Sequence, residues 1–303
     1  MVKNFYLNLL IILKVGILKL VMELMLFPLS PALILLIGDY SSFIQIITKD
    51  NSYFLNYSFK DFSFSDSPFF IKIDDTSFSL DKIDININDS FHRLNIEGSL
   101  HFSSHTSISN NVFAPNIMGP FSYFSSMECN HAILSMKSNI DGSLHFNDNL
   151  INFNNGVAYI EKDWGISFPK SYIWCQSNEF LAFPANFMLS VAHIPFGAIN
   201  FTGIISDISF ENKEYKFTTY YGAKLKKYDI SNDSINIEIK QGNKLLTVSS
   251  LSENSNFLLA PSKGKMKKEI LESISSKINV EIREKDKIVF SNSGFNSGLE
   301  IVI

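Results

Sequence analysis

A chain of 303 residues with 46% hydrophobic content is long enough for one large β domain or two smaller ones with cores of their own. Its formal charge of −4, with no Lys/Arg-rich patch interleaved with aromatic residues, argues against a nucleic-acid partner, which would want a basic face. Two cysteines, Cys129 and Cys175, are too few for a disulfide-built secreted scaffold and favour a reducing compartment, although one bridge between them also fits.

Residues 7–37 form an apolar run broken by Lys14, Lys19 and Glu23 in its first half and by Pro28 and Pro31 in its second. No clean stretch of about 18 uncharged apolar residues stands there, as a spanning helix needs, and no small-x-small cleavage site follows a short apolar core. A membrane anchor and an uncleaved signal remain alternatives for this segment.

From Tyr40 onward the pattern is that of strands, in a chain with 28 Phe and 11 Tyr. Ile83, Ile85 and Ile87 alternate with Asp84, Asn86 and Asn88, and Leu94, Ile96, Leu100 and Phe102 alternate around Gly98. Such alternation predicts antiparallel sheets with one wet face. Ser103 to Pro120 is polar and irregular and reads as a boundary, which divides the chain into an apolar segment 1–39, a first β domain 40–118 and a second β domain 119–303. Within the second, Asn139-Ile140-Asp141-Gly142 and Gln241-Gly242-Asn243 read as hairpin turns. Met266, Ile270, Ile274 and Ile278 recur at every fourth position behind Gly264 and predict one C-terminal helix lying on a sheet.

The densest chemistry lies between Gly156 and Asn178, which holds both tryptophans. A strand over 158–163 puts Tyr159, Glu161 and Asp163 on one face and Ile160 and Lys162 on the other. The next element, 171–176, places Tyr172, Trp174 and Gln176 together, after a turn containing Gly165 and Pro169. Two acids then stand among a wall of aromatic rings.

Met127-Glu128-Cys129-Asn130-His131, the run Gly156-x-Ala-Tyr-Ile-Glu-Lys-Asp-Trp-Gly-x-Ser-Phe-Pro169 and Tyr172-x-Trp174-x-Gln176 resemble the tocopherol cyclase family. Tyr221-Gly222-Ala223-Lys224, Ala260-Pro261 with Gly264-x-Met266, and Gly298-Leu299-Glu300 extend the resemblance over roughly residues 40 to 303. It implies an all-β fold of two lipocalin-like antiparallel domains, barrel or half-barrel, with an apolar cavity. Family members in plants and cyanobacteria close a chromanol ring on a prenylated benzoquinol, and many bacterial members come from organisms not expected to make tocopherol, so the fold transfers better than the substrate.

Family members usually begin with a strand like Tyr-Phe-Glu-Gly-Trp-Tyr-Phe-Lys, which is not found here. Ile12 to Met22 can be back-translated so that another frame reads Phe-Glu-Gly-Trp-Tyr-Phe-Lys-Ile-Ser-Asp, so residues before about Asp39 are expected to be either a genuine anchor or a frameshifted form of that strand. A first domain without the strand would expose its edges.

Ring closure on a prenylated quinol needs a proton for an unactivated alkene, from a carboxyl kept un-ionised by burial. Aromatic faces then stabilise the tertiary cation. Asp163 is the expected donor, with Glu161 beside it and Glu128 with His131 as a second acid/base pair. Tyr159, Trp164, Phe168, Tyr172, Trp174 and Gln176 are the expected substrate contacts. The plainer reading is an ion-paired strand end at Glu161 and Lys162, a core histidine at His131, and a Trp filling the barrel floor. Glu128, Cys129 and His131 lack a second ligand cluster, and no phosphate loop or Gly-x-Ser-x-Gly elbow occurs, so no metal or cofactor is expected. The expected partner is a lipophilic small molecule, a prenyl quinol or another isoprenoid, handled in the cytoplasm or at a membrane periphery. The rival is a non-catalytic carrier holding the same ligand.

Overall fold

The computed structural model describes residues 12–15, 18–22, 25–35, 40–48, 50–124, 127–165, 167–196, 199–253, 255–262 and 265–303, with backbone alone before residue 42. Among these residues the fold is strands and three short 3-10 turns, at Phe59–Asp61, Gly119–Tyr123 and Thr219–Tyr221.

The first sheet opens with β1 (Ile12–Val15), β2 (Leu18–Met22), β3 (Met25–Leu35), β4 (Tyr40–Ile47) and β5 (Ser52–Ser58). It continues with β6 (Phe62–Asp66), β7 (Phe69–Ile73), β8 (Thr76–Ser79), β9 (Lys82–Asp89) and β10 (Leu94–Thr106). The long β11 (Cys129–Phe146), the short β12 (Asn149–Asn152) and β13 (Gly156–Gly165) complete it. Its order is β5-β4-β3-β1-β13-β11-β10-β9-β8-β7-β6, with β2 beside β13 and β3, and β12 beside β11.

The second sheet is built from β14 (Tyr172–Ser177), β15 (Glu179–Phe180), β16 (Ala185–Phe196), β17 (Ile199–Phe210), β18 (Lys213–Thr218) and β19 (Lys224–Ile230). To these it adds β20 (Ser234–Gln241), β21 (Lys244–Leu251), β22 (Asn256–Ser262), β23 (Lys265–Glu284) and β24 (Lys287–Val302). Its order is β18-β17-β16-β14-β24-β23-β21-β20-β19, with β15 beside β24 and β22 beside β23.

Alternation along each strand fills two separate cores. Ile83, Ile85, Ile87, Leu100, Ile140, Ala158 and Ile160 close the interior of the first sheet. Ile173, Cys175, Leu189, Ile237, Val248 and Ile278 close that of the second. The opposite faces of β13, β14 and their neighbours meet in a third cluster with Tyr159, Tyr172, Trp174, Met188, Ile270 and Ile274. Each half-barrel therefore carries an apolar core of its own, and the two backs meet in a third.

Two expectations are corrected here. The C-terminal helix is strand β23, because a spacing of four is also two periods of two. Ile270 and Ile274 are buried between the sheets and Ile278, Val280 and Ile282 in the second core, with Glu272 and Ser276 buried among them, and these polar residues with the shifts of register hid the alternation. The boundary near residue 118 falls inside the first sheet, since β10 and β11 on either side of it are paired, Leu100 opposite Gly142. The chain changes sheet after Gly165, so the polar stretch is a long connection and not a linker.

Of residues 7–37 the described part is β1, β2 and β3: β1 and β2 pair with β13, Lys14 opposite Asp163 and Leu20 opposite Ala158, and β3 pairs with β1 and β2. The anchor and frameshift expectations for residues 1–11, 16–17, 23–24 and 36–39 lie outside the described residues. No helix among the described residues is long and apolar enough to cross a membrane.

Candidate functional site

The two backs do not fill their contact completely. Ser190 and Ala192 on β16 and Gly203 on β17 are small where the facing strands carry rings, and a cavity of about 110 Å³ remains between the sheets. The connection 107–128 covers it. Met118, Phe121 and Met127 reach into it, Phe121 stacks on Phe201 with ring centroids 5.5 Å apart, and the Tyr220 hydroxyl donates to the Ile117 carbonyl at 3.1 Å. Gly119, at φ +59°, lies against the Tyr220 ring, where a Cβ would come within 2.6 Å.

The first sheet supplies the acids expected from the alternation of β13. Tyr159, Glu161 and Asp163 share the face turned toward the second sheet, while Ala158 and Ile160 enter the first core. His131 stands on β11 directly opposite Asp163. Its Nδ1 lies 2.6 Å from Asp163 Oδ1, and its Nε2 lies 3.4 Å from Glu161 Oε2. The same Glu161 oxygen accepts hydrogen bonds from the Tyr159 hydroxyl at 2.7 Å and from Trp174 Nε1 at 3.1 Å. Burial first, and then the neighbouring Glu161 carboxylate, holds the Tyr159 hydroxyl well above its usual pKa, so it stays a donor.

From the second sheet, β14 brings Tyr172 and Trp174 and β24 brings Glu300. The Tyr172 hydroxyl donates to Glu300 Oε2 at 2.6 Å, and it too is pushed well above its usual pKa by burial and then by Glu300. Phe168 meets the Tyr172 ring edge-on at 5.9 Å.

Of the residues singled out in the sequence, His131, Glu161, Asp163, Phe168, Tyr172 and Trp174 line one cavity. Tyr159 stands behind it, its ring 6.3 Å from that of Trp174. Glu128, Trp164 and Gln176 are not on its wall. The next-door position of Trp164 puts it on the other strand face, where the Lys162 ammonium lies 5.2 Å from its ring. Gln176 shares the face of Trp174 but lies beyond the cavity, bonded to Asn178. Glu128 precedes the strand that carries His131, and it is its backbone carbonyl, receiving the Ser167 amide at 3.2 Å, that ties the turn after β13 in place. Cys129 borders the cavity, whereas Cys175 lies in the second core, where burial pushes its thiol up.

Glu300 was not expected here, nor was Glu272, which stands beside it in register on β23. An acid alone in the apolar run Leu299-Glu300-Ile301-Val302 was the available signal for the first. For the second, the helical reading of 266–278 placed Glu272 on the face opposite the apolar stripe, and so hid it.

One atom from each of His131, Glu161 and Asp163 falls within 4.8 Å of the others, a donor set that could hold a divalent cation. The imidazole, however, lies between the carboxyls, with one nitrogen toward each. A metal needs all three donors to converge on one point, whereas this in-line arrangement suits proton transfer.

Two curled antiparallel sheets, back to back around an acid-lined apolar cavity, define a protein of the lipocalin-like half-barrel class. Within that class the chain belongs to the tocopherol cyclase-like family, whose model matches residues 109–302. Solved structures share the whole fold. An AttH protein of Nitrosomonas europaea is 10% identical, with a TM-score of 0.56 over 97% of this chain and 93% of that one. CghA is 9% identical, with a TM-score of 0.57 over 97% and 88%. Kievitone hydratase of Nectria haematococca is 12% identical, with a TM-score of 0.54 over 96% and 88%. At such identities the likeness is one of fold. No curated protein matches the chain by sequence.

Proposed function

We propose that the chain is a cyclase-like enzyme that adds a hydroxyl group across an alkene of a lipophilic, prenylated phenol or quinol, closing a ring. The observation that carries this reading is His131 held between Asp163 and Glu161, buried and open to an apolar, ring-lined cavity. A proton can be moved there in the absence of water, and the Trp174 and Tyr172 faces would steady a tertiary cation. The family is named for a cyclase, and one protein sharing the fold is named a hydratase; ring closure by a substrate hydroxyl and the addition of water are alike in adding O–H across a double bond. A carrier gains nothing from burying this many acids, since desolvating charge costs free energy that a purely apolar lining avoids.

The cavity sets a limit on what enters. Its volume is close to the roughly 150 Å³ that accommodates one benzene-sized ligand in an engineered protein cavity. It suits the reacting end of a substrate, with a prenyl tail leaving through the mouth. The chain between β10 and β11, which contributes Met118 and Phe121 to the cavity, also exposes Val112 and Phe113, at 80% and 82%, together with Tyr123 and Phe124. These would rest on a membrane surface from which such a substrate is drawn.

The test is a panel of prenylated quinols, with products identified by mass. Asp163→Asn is expected to lower turnover at least about 100-fold, as removal of a general acid or base does, while binding stays within a few-fold. Wild-type protein that binds the panel tightly and converts none of it would be a carrier, and the proposal would fall.

A further inference from the structure

The wall formed by the second sheet carries acids to which the reading above gives no role. Glu300 on β24 reaches the cavity, and Glu272 on β23 is its Cα partner in an antiparallel pair. Partnered residues project from the same face with Cβ atoms about 5 Å apart, and these two are only 1% and 2% exposed. On the other flank of β24, Trp174 is also in register with Glu300, and Tyr172 donates its hydroxyl to it.

Two carboxyl groups side by side and away from water can hold one proton between them, which avoids setting two like charges together. The other wall is different in kind. There an imidazole stands between two carboxyls, one ring nitrogen toward each. One wall thus offers two carboxyls in register, and the other an imidazole that can take up a proton.

We propose that Glu300 is a catalytic residue of this cavity, the acid that protonates the substrate alkene, with Glu272 and Tyr172 as positioning residues and His131 with Asp163 as the base opposite. The assignment rests on the alkene-addition reading and runs the proton in the reverse direction to that expected of Asp163 from the sequence. The alkene π pair takes the Glu300 proton, forming a C–H bond and leaving a tertiary cation beside Trp174 and Tyr172. A lone pair on the substrate hydroxyl then forms the C–O bond, and that hydroxyl's proton passes to His131. Substrate and product are isomers. After release, His131 returns a proton to the Glu300 carboxylate through water entering the open cavity.

Glu300→Gln keeps the shape of the side chain and an oxygen for Tyr172. Turnover of a prenylated quinol is expected to fall at least about 100-fold with KM within about three-fold, and the alkaline limb of the kcat profile to disappear from the residual activity. Asp163→Asn should remove the acid limb instead, and Tyr172→Phe should move the alkaline limb without abolishing turnover. Glu300→Gln within about three-fold of wild type, with both limbs kept while Asp163→Asn is inactive, would overturn the assignment and leave alkene addition standing. A wild-type protein that turns over nothing would sink the alkene-addition reading instead. A readout independent of turnover is the infrared carbonyl stretch of a protonated carboxyl at pH 7. Measured in an Asp207→Asn background, because the Asp207 carboxyl also holds a proton at pH 7, it is expected in otherwise wild-type protein and absent on adding Glu272→Gln or Glu300→Gln, each checked for an unchanged unfolding midpoint; its absence from the background protein would overturn the shared proton.

Discussion

The two sheets meet across one cavity, yet each accommodates its buried acids differently. On the first, Asp163 and Glu161 flank an imidazole and are tied further by the Tyr159 hydroxyl and the Trp174 indole. On the second, Glu300 is met by another acid in register and by a phenol hydroxyl. A counter-charge permits ionisation in a dry site, whereas an adjacent like charge opposes it. The same residue type therefore plays two roles in one cavity, and the neighbours across the strand pair decide which.

The sharpest way to break this comparison is to remove the imidazole. His131→Leu leaves Asp163 and Glu161 without it, and a buried polar group that loses its hydrogen-bond partner costs about 1–3 kcal/mol, more if it is charged. Glu272→Gln on the opposite wall takes away a repulsion and is expected to be neutral or stabilising at pH 7. Urea midpoints of the two variants against wild type check this. Equal losses in both would mean that the walls do not differ in the way argued here.

Another buried acid of the second sheet sharpens the contrast through pH. Asp207 on β17 is pushed up to about 8 by burial and then by Glu214, against the opposing charge of Lys216. Glu214 is held below its usual value: burial works against this, but hydrogen bonds from Asp207 and Ser109, together with Lys216, outweigh it. Folded protein thus keeps on Asp207 a proton that the unfolded chain releases from about pH 4. That contribution is complete below pH 4 and is lost as pH rises through about 8, while the contribution of Glu214 is already constant above about 4.5. Stability should therefore decline between pH 5 and 8. Asp207→Asn, whose amide can still donate to Glu214, should flatten that decline and raise stability most at pH 8. An unchanged slope would show that this carboxyl does not hold its proton in the fold. Ser109, bonded to Glu214 at 2.8 Å and to Lys216 Nζ at 2.8 Å, anchors the start of the connection over the cavity, so the same series reports on that cover.

How much of this was legible in the sequence depended on period. The alternation of Tyr159, Glu161 and Asp163 against Ala158 and Ile160 survived intact, because β13 is buried on both faces and each face has its own chemistry. In β23 the apolar residues fell at every fourth position, which suits a helix and a strand equally. Length could have arbitrated no better, since a 20-residue strand is unusual. That one misreading removed Glu272 from view and with it the second acid pair. Ser103 to Pro120 looked like a linker because its work is to cover a cavity with Met118 and Phe121, and irregular backbone suffices for that. Glu128 and Trp164 were drawn to the site by nearness in sequence, which on a strand sends adjacent side chains to opposite faces.

The smallest expected effect concerns the link between the walls. Trp174 belongs to the second sheet but donates to Glu161 of the first, so it couples the two acid groups. Its ring has room because Gly298, in register with Gln176 one pair along, has no side chain; a Cβ there would come within 2.6 Å of the indole. The ring is 5% exposed and packed near Tyr159, so it cannot swing aside freely. Gly298→Ala should cost about 1–3 kcal/mol, as overpacking does, and displace the indole from Glu161. In a Trp164→Phe background the remaining tryptophan emission should shift, and turnover should fall while both limbs of the pH profile persist, since neither acid group has been removed. An unaltered emission would mean that the indole is not wedged between the sheets, and that the two walls act without this connection.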